Sequence, residues 1–237
     1  MVKTFHYFND PSYPIQVTDE TTSVTKYTFQ SNGQLWENDS IQQFFSVVDR
    51  RKNCNIVDIG AQSGLYSLFA KFLPNATFYA YEPFPDTFRL LNDNLKLNGI
   101  TNVKTFNLGV SNTMGESYLN TCRHHNGLHT MGDNLQRFEP GDNVRIKIQT
   151  KTLDSMFSKV DIPVHYIKID TEGWEYFILL GAKETIQKYH PAIQLEWNPV
   201  NMKQCGVNPE LLRQVLNELN YHEVSTASEE KLFLFKE

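Results

Sequence analysis

Asp58, Gly60, Gly64 and Glu82 carry the first chemical signal in this chain. An apolar run at 56–59 passes through Asp-x-Gly-x-x-x-Gly into a helical pattern, and a second apolar run at 77–81 ends in Glu82. Glycines at 60 and 64 let the backbone turn tightly and approach a ligand closely. A carboxylate at the tip of the next strand is placed to accept two ribose hydroxyls. The dinucleotide fingerprint Gly-x-Gly-x-x-Gly, which seats a pyrophosphate on a helix N-terminus, is missing. Asp58 at the strand end would repel phosphate and favour a cation. The expected ligand is therefore a cationic sulfonium nucleoside, S-adenosylmethionine, rather than NAD. Ala61, Gln62 and Leu65 complete the turn, Pro83 fixes the backbone behind Glu82, and Phe84 offers a ring face. The adenine is expected beyond the third strand, near Gly109, Val110 and Ser111.

A second acidic group lies at Lys168-Ile169-Asp170-Thr171-Glu172-Gly173. Strand alternation puts Lys168 and Asp170 on one side, with Asp170 at the open end. Methyl transfer to an alcohol needs the oxygen in line with the methyl carbon, at about 3 to 3.5 Å. A positioned base then removes the hydroxyl proton, help typically worth ~10² to 10⁴ in rate. Asp170, Glu172 or a histidine would serve. A rival role for Asp170, Glu172 and Glu196 is to hold Mg²⁺ and acidify a sugar hydroxyl; it is the less favoured alternative, and no metal site is assigned. Arg123-His124-His125-Asn126-Gly127-Leu128-His129 brings three histidines into one loop. His125 is the candidate base there, and His124 and His129 are candidate acceptor contacts. Glu196, Trp197 and Asn198 close a later strand, and Trp197 offers a flat face to a sugar ring.

The elements that position these groups follow from hydrophobic period and turn signals. The expected strands are 55–59, 77–81, 103–108, 144–150, 164–169 and 192–197, with a closing hairpin at 221–225 and 231–235. Helices are expected at 65–72, from 86 to the stop at Asn98-Gly99, from Thr152-Leu153-Asp154, at 172–189 and at 209–219. A capped helix carries Ile41, Phe44, Phe45 and Val48 on one face. A short strand is expected at 23–29. The stretch 111–143 has no period and is long for a connection, so it reads as a functional loop or lid. The alternation predicts an α/β fold. Residues 1–50 are expected to form an N-terminal extension or cap, and 51–237 the catalytic domain.

Four motifs in order, Val57-Asp58-Ile59-Gly60-Ala61, Tyr81-Glu82-Pro83-Phe84-Pro85, Thr152-Leu153-Asp154 and Ile167-Lys168-Ile169-Asp170-Thr171-Glu172-Gly173-Trp174-Glu175, resemble the FkbM family of S-adenosylmethionine-dependent methyltransferases. The resemblance covers about residues 36–200. It implies a Rossmann-like, seven-stranded class I methyltransferase sheet with helices on both faces. It also implies O-methylation, often of sugars or sugar-bearing natural products. One departure is Gln62, where the family usually has Asn after Gly-Ala.

Composition narrows the alternatives. A chain of 237 residues, 40% hydrophobic, suffices for one α/β domain. Its net charge of -5 gives no basic field to gather polyanions, so nucleic acid is not a favoured partner. RNA ribose methylation is thus the weaker alternative. A non-catalytic cofactor-binding module would predict damage at Gly60 or Asp170, and both are intact. Cys54, Cys122 and Cys205 lack metal-ligand spacing and read as free thiols in a reducing compartment. No secretory h-region and no membrane span is evident. The expectation is a soluble, cytoplasmic enzyme acting on a small sugar-like acceptor, with a homodimer left open.

Overall fold

A computed structural model describes residues 2–6, 12–18, 38–49, 52–122, 129–132, 143–224 and 230–236. The expected strand 23–29, and His124 and His125, lie outside these residues. The central sheet contains β3 (Cys54–Ile59), β4 (Ala76–Tyr81), β5 (Val103–Phe106), β9 (Tyr166–Ile169), β10 (Ala192–Glu196), β11 (Tyr221–Glu223) and β12 (Glu230–Phe235). Their order is β11-β12-β10-β9-β3-β4-β5. β12 runs antiparallel to both of its neighbours, β10 and β11. The central pairs are parallel. This is the Rossmann-like class I methyltransferase sheet that the resemblance implies. Strand order reverses between β3 and β9, and ligands bind outside the carboxyl ends of strands at such a switch.

Alternating side chains feed two cores. Val57, Ile59, Ile167, Ile169, Ile193 and Leu195 point to one face. There they meet α3 (Leu153–Phe157), α4 (Glu175–Leu180), α5 (Lys183–Tyr189) and α7 (Pro209–Glu218). Ile56, Phe78, Ala80 and Tyr166 point to the other. That face is covered by α1 (Asn38–Val47) and by α2 (Pro85–Leu97), whose Leu91 and Leu95 are buried. Phe44 of α1 stacks on Phe69 and meets Tyr166 edge-on. A hairpin of β1 (Val2–His6) and β2 (Pro14–Thr18) joins the same core through Ile15 and Val17.

Several expected elements take a different form. The helix at 65–72 is a 3₁₀ helix, Ser67–Phe72. The helix at 172–189 is two helices, because the chain breaks at Gly181. A side chain there would strike the Ser111 carbonyl. The second helix starts afresh under the Asp154 carboxylate, which accepts the backbone N–H of Glu184 (3.1 Å) and Thr185 (2.8 Å). Thr152-Leu153-Asp154 is thus a double cap, since Thr152 Oγ1 accepts Ser155 N at 3.0 Å for α3. The unperiodic stretch contains β7 (Gly115–Cys122), paired with β8 (Asn143–Lys151). With β6 (Gly109–Val110) they make a separate sheet ordered β6-β8-β7. In β7 Leu119, Asn120 and Thr121 are buried in succession, two of them polar, so the strand shows no apolar alternation. Among the described residues no helix is long and apolar enough to cross a membrane. A short helix, α6 (Pro199–Gln204), follows β10, and sequence reasoning missed it.

Candidate active site at the sheet switch point

The turn after β3 is built on backbone that side chains disfavour. Gly60 has φ +79°, and a Cβ there would overlap the Asp170 carbonyl oxygen. The turns after β3 and β9 therefore touch, backbone to backbone. Gly60 N and Ala61 N both donate to Tyr81 O at 3.0 Å, tying the turn to β4. Gln62 is left-handed at φ +52° without being glycine, a conformation that clusters at functional sites. Its side-chain Oε1 accepts Ser63 N and Ser63 Oγ, each at 2.6 Å. Gly64, φ +103°, brings the chain against Leu91 of α2. Asn94 of the same helix donates to Ser63 O at 2.9 Å. Leu65 is half-buried at the end of the turn.

Glu82 sits at the tip of β4, only 5% exposed. Its Oε2 accepts Gln62 N at 2.9 Å and its Oε1 accepts Phe84 N at 2.8 Å. Each oxygen keeps a further lone pair for another donor. Burial raises Glu82 to about 7, against the pull of those two N–H groups, and the Asp58 charge adds to the rise. Asn107 Nδ2 holds the backbone here, donating to Glu82 O (2.9 Å) and Pro83 O (3.1 Å). Asp58 is buried and accepts Ser67 Oγ at 2.6 Å. Burial lifts it to about 6, opposed by the Ser67 hydroxyl and the Lys168 charge.

Gly109 and Val110 pair with Thr150 and Lys151 of β8. Val110 buries its side chain in the core, so it offers no open face to a ring. Ser111 is buried, donates its N–H to Lys151 O at 3.0 Å and accepts Trp174 Nε1 on Oγ at 3.1 Å.

The β9 end gathers acids around one cation. Lys168 is buried, and its Nζ donates to Glu230 Oε1 at 2.8 Å and Asp170 Oδ2 at 3.2 Å, with the Tyr66 ring 4.8 Å away. Glu172 has φ +58°, and its Oε2 accepts Asn201 Nδ2 at 2.8 Å. Glu175 Oε1 clamps this turn by accepting Thr171 N (3.0 Å), Thr171 Oγ1 (2.9 Å) and Gly173 N (3.2 Å). Glu196 is held well above the usual carboxylate range by burial and by the charges of Asp170, Glu172, Glu175 and Glu230. Glu230 was not among the expected site residues. Only the antiparallel register Glu196↔Glu230 brings it here, and no local pattern announces it. Among the described residues no group of three His, Cys, Asp or Glu has metal-holding geometry.

The residues 129–132 form a strap across the mouth. The His129 ring meets Phe84 edge-on at 4.3 Å. Thr130 pairs with Asn120 of β7, and its Oγ1 donates to Glu172 O at 3.1 Å. One histidine of the cluster is thereby placed beside both Phe84 and the acidic turn. Trp197 faces elsewhere: the Arg213 guanidinium and the Lys231 ammonium lie 4.7 and 4.9 Å from its ring. Asn198 Oδ1 caps α6, accepting Val200 N and Asn201 N.

The family model for the methyltransferase FkbM domain matches residues 58–223. Methyltransferase sdnD of Sordaria araneosa is 25% identical over 199 residues, which is 70% of this chain and 73% of that protein. The crystal structure of methyltransferase FkbM from Methylobacillus flagellatus KT overlays with a TM-score of 0.52 at 17% identity. That match covers 77% of this chain but 44% of the Methylobacillus chain, so the present chain spans less than half of that protein. An S-adenosylmethionine-dependent O-methyltransferase from Thermotoga maritima overlays with a TM-score of 0.51 at 12% identity, over 89% of this chain and 70% of that one. At such identities the structural likeness speaks for the fold.

Proposed function

We propose that this chain, which belongs to the FkbM family of methyltransferases, moves a methyl group from S-adenosylmethionine to a hydroxyl of a small polar acceptor, a sugar or nucleotide-linked sugar. The observation that carries the reading is the contact of the Gly60 turn with the Asp170 turn. That contact brings the turn assigned to the nucleoside directly beside the acidic strand end.

The residues suit the donor. Glu82 is buried, carboxylate-bearing and still able to accept two hydroxyls, which fits a ribose. Asp58, buried at the end of β3 beside the Gly60 turn, adds a carboxylate that fits a cationic ligand. The turn residues Gly60, Ala61, Gln62, Gly64 and Leu65 would cradle the amino-acid part, and Phe84, behind Pro83, would flank the adenine. Gly109 and Ser111 would line the far side as backbone. S-adenosylmethionine supplies an electrophilic methyl group on a positively charged sulfur.

The protein's own work is alignment and proton removal. Asp170 Oδ2 is taken by Lys168, and among the described residues no side chain donates to its Oδ1. That oxygen is the candidate to accept the acceptor's hydroxyl proton. Glu172, held by Asn201, and His129, held by the strap, would orient the acceptor's other hydroxyls. A site rich in acceptors and poor in free cations favours a neutral polyol over an anion at the reacting end. The test is a panel of UDP-, GDP- and dTDP-hexoses with methyl-labelled S-adenosylmethionine, read by mass spectrometry. Label appearing in a hexose supports the proposal. Label appearing only in added RNA would replace it.

A further inference from the structure

We propose that Glu230 is a positioning residue for methyl transfer, acting through Lys168 on the Asp170 carboxylate. The inference rests on the role given to Asp170 above. Glu230 lies beyond residues 58–223, outside the stretch that matches the family model.

The geometry is a chain of three. Lys168 stands on β9, and its side chain is 2% exposed. A lone ammonium at that depth is costly unless paired, so its position is set by its partners. The two partners differ. Glu230 is 9% exposed and 2.8 Å from Nζ, whereas Asp170 is 35% exposed and 3.2 Å away. The deeper, closer carboxylate anchors the ammonium, and the shallower one reaches the mouth. Glu230 does this from β12, two strands from β9, by reaching over β10 beside Gln194. The Tyr66 ring also lies against the ammonium, 4.8 Å away.

Among the described residues, Lys168 is the only side chain that donates to the Asp170 carboxylate. Asp170's orientation therefore depends on where Lys168 is held, and Lys168 is held by Glu230. Misplacing a reacting group by about 1 Å can cost roughly 10²-fold in rate. A strand next to the sheet edge, two places from β9, thus sets the aim of a group at the switch point.

The experiment compares Glu230→Ala, Glu230→Gln, Lys168→Met and the pair Glu230→Ala/Lys168→Met. Turnover is measured with S-adenosylmethionine and the nucleotide hexose found in the panel, and donor affinity by calorimetry. Glu230→Ala should lower kcat at least tenfold and leave the donor's Kd within about twofold. Glu230→Gln, which still offers the ammonium an oxygen, should recover most of the loss. The pair should lose no more than Lys168→Met alone, because both changes cut one chain. An unchanged kcat in Glu230→Ala, or losses that simply add, would overturn the proposal. If Glu230→Ala does not fold, Glu230→Leu/Lys168→Met removes both buried charges together, and its kcat must match that of Lys168→Met.

An arm without acceptor uses nitrogen-15 NMR. The Lys168 ammonium should give a slowly exchanging signal in the native chain and lose it in Glu230→Ala; persistence of the signal would overturn the anchoring. Asp170→Asn separates the two proposals. If it retains full turnover, the reading of the site fails. If it is inactive while Glu230→Ala is normal, only the present inference fails.

Discussion

The carboxylate of Glu82 accepts the backbone N–H of Gln62 at 2.9 Å, which joins the tip of β4 to the turn after β3. Gln62 holds a left-handed backbone to make that contact. The bond links two segments twenty residues apart in the chain and fixes the turn that the proposal assigns to the donor. Removing it should cost affinity directly. Glu82→Ala should weaken S-adenosylmethionine binding roughly ten- to hundredfold, the size of a charge-assisted hydrogen bond. Titration calorimetry reads this, and unchanged binding would remove Glu82 from the donor site.

Asp170→Ala should behave in the opposite way. Its carboxylate sits at the open end and, among the described residues, takes a side-chain hydrogen bond from Lys168 alone. Donor binding should stay within about threefold, while turnover falls by ~10² to 10⁴, the range for losing a general base. Equal losses of binding in both variants would sink this division of roles.

Acidity supplies a third prediction. Burial raises Glu82 from 4.5 to about 7 and Asp58 from 3.8 to about 6. Between the lower and upper values the folded chain holds protons that the unfolded chain has released. Stability of the free protein should therefore fall as pH rises from about 4 towards 7, and level off above about 7. Glu175 and Glu196, also raised by burial, add to the same trend. Donor binding should run the other way and tighten from about pH 6 to 8, since ionised Glu82 and Asp58 are the better partners for hydroxyls and a positive sulfur. Thermal melts with and without S-adenosylmethionine test both trends, and a free-protein Tm that climbs across the window would contradict the first.

Asp154→Ala should cost stability and spare chemistry. The carboxylate caps α5 through Glu184 and Thr185, so about 1 kcal/mol should be lost with kcat intact. A collapse in turnover would mean that this motif serves the site directly.

Gly60→Ala is expected to do more damage than its size suggests. The added methyl meets the Asp170 carbonyl, and the residue must keep φ +79°. Both the melting temperature and donor affinity should drop together. A well-folded Gly60→Ala variant with native affinity would show that the two turns can separate freely.

Much of this arrangement is legible in the sequence. Asp58, Gly60, Glu82 and Asp170 announce themselves because the βαβ period ends at each, and strand ends at a reversal in order converge in space. Glu230 gave no such sign. It meets Lys168 only because β12 runs antiparallel beside β10, a pairing between distant segments that local pattern does not encode. β7 was missed because Leu119, Asn120 and Thr121 are buried in succession and leave no alternation to read, and the break at Gly181 because its cause is a carbonyl seventy residues away in the chain. Trp197 shows the reverse error: its flat face suggested a sugar platform, but Arg213 and Lys231 lie over the ring.

The segment bearing His129 hangs from the small β6-β8-β7 sheet, while the Gly60 and Glu82 turns hang from the large one. Under the proposed function, changes on the small sheet would alter the choice of acceptor without disturbing the turns assigned to the donor. Such a division would let one scaffold be retuned to a different acceptor through a single appendage.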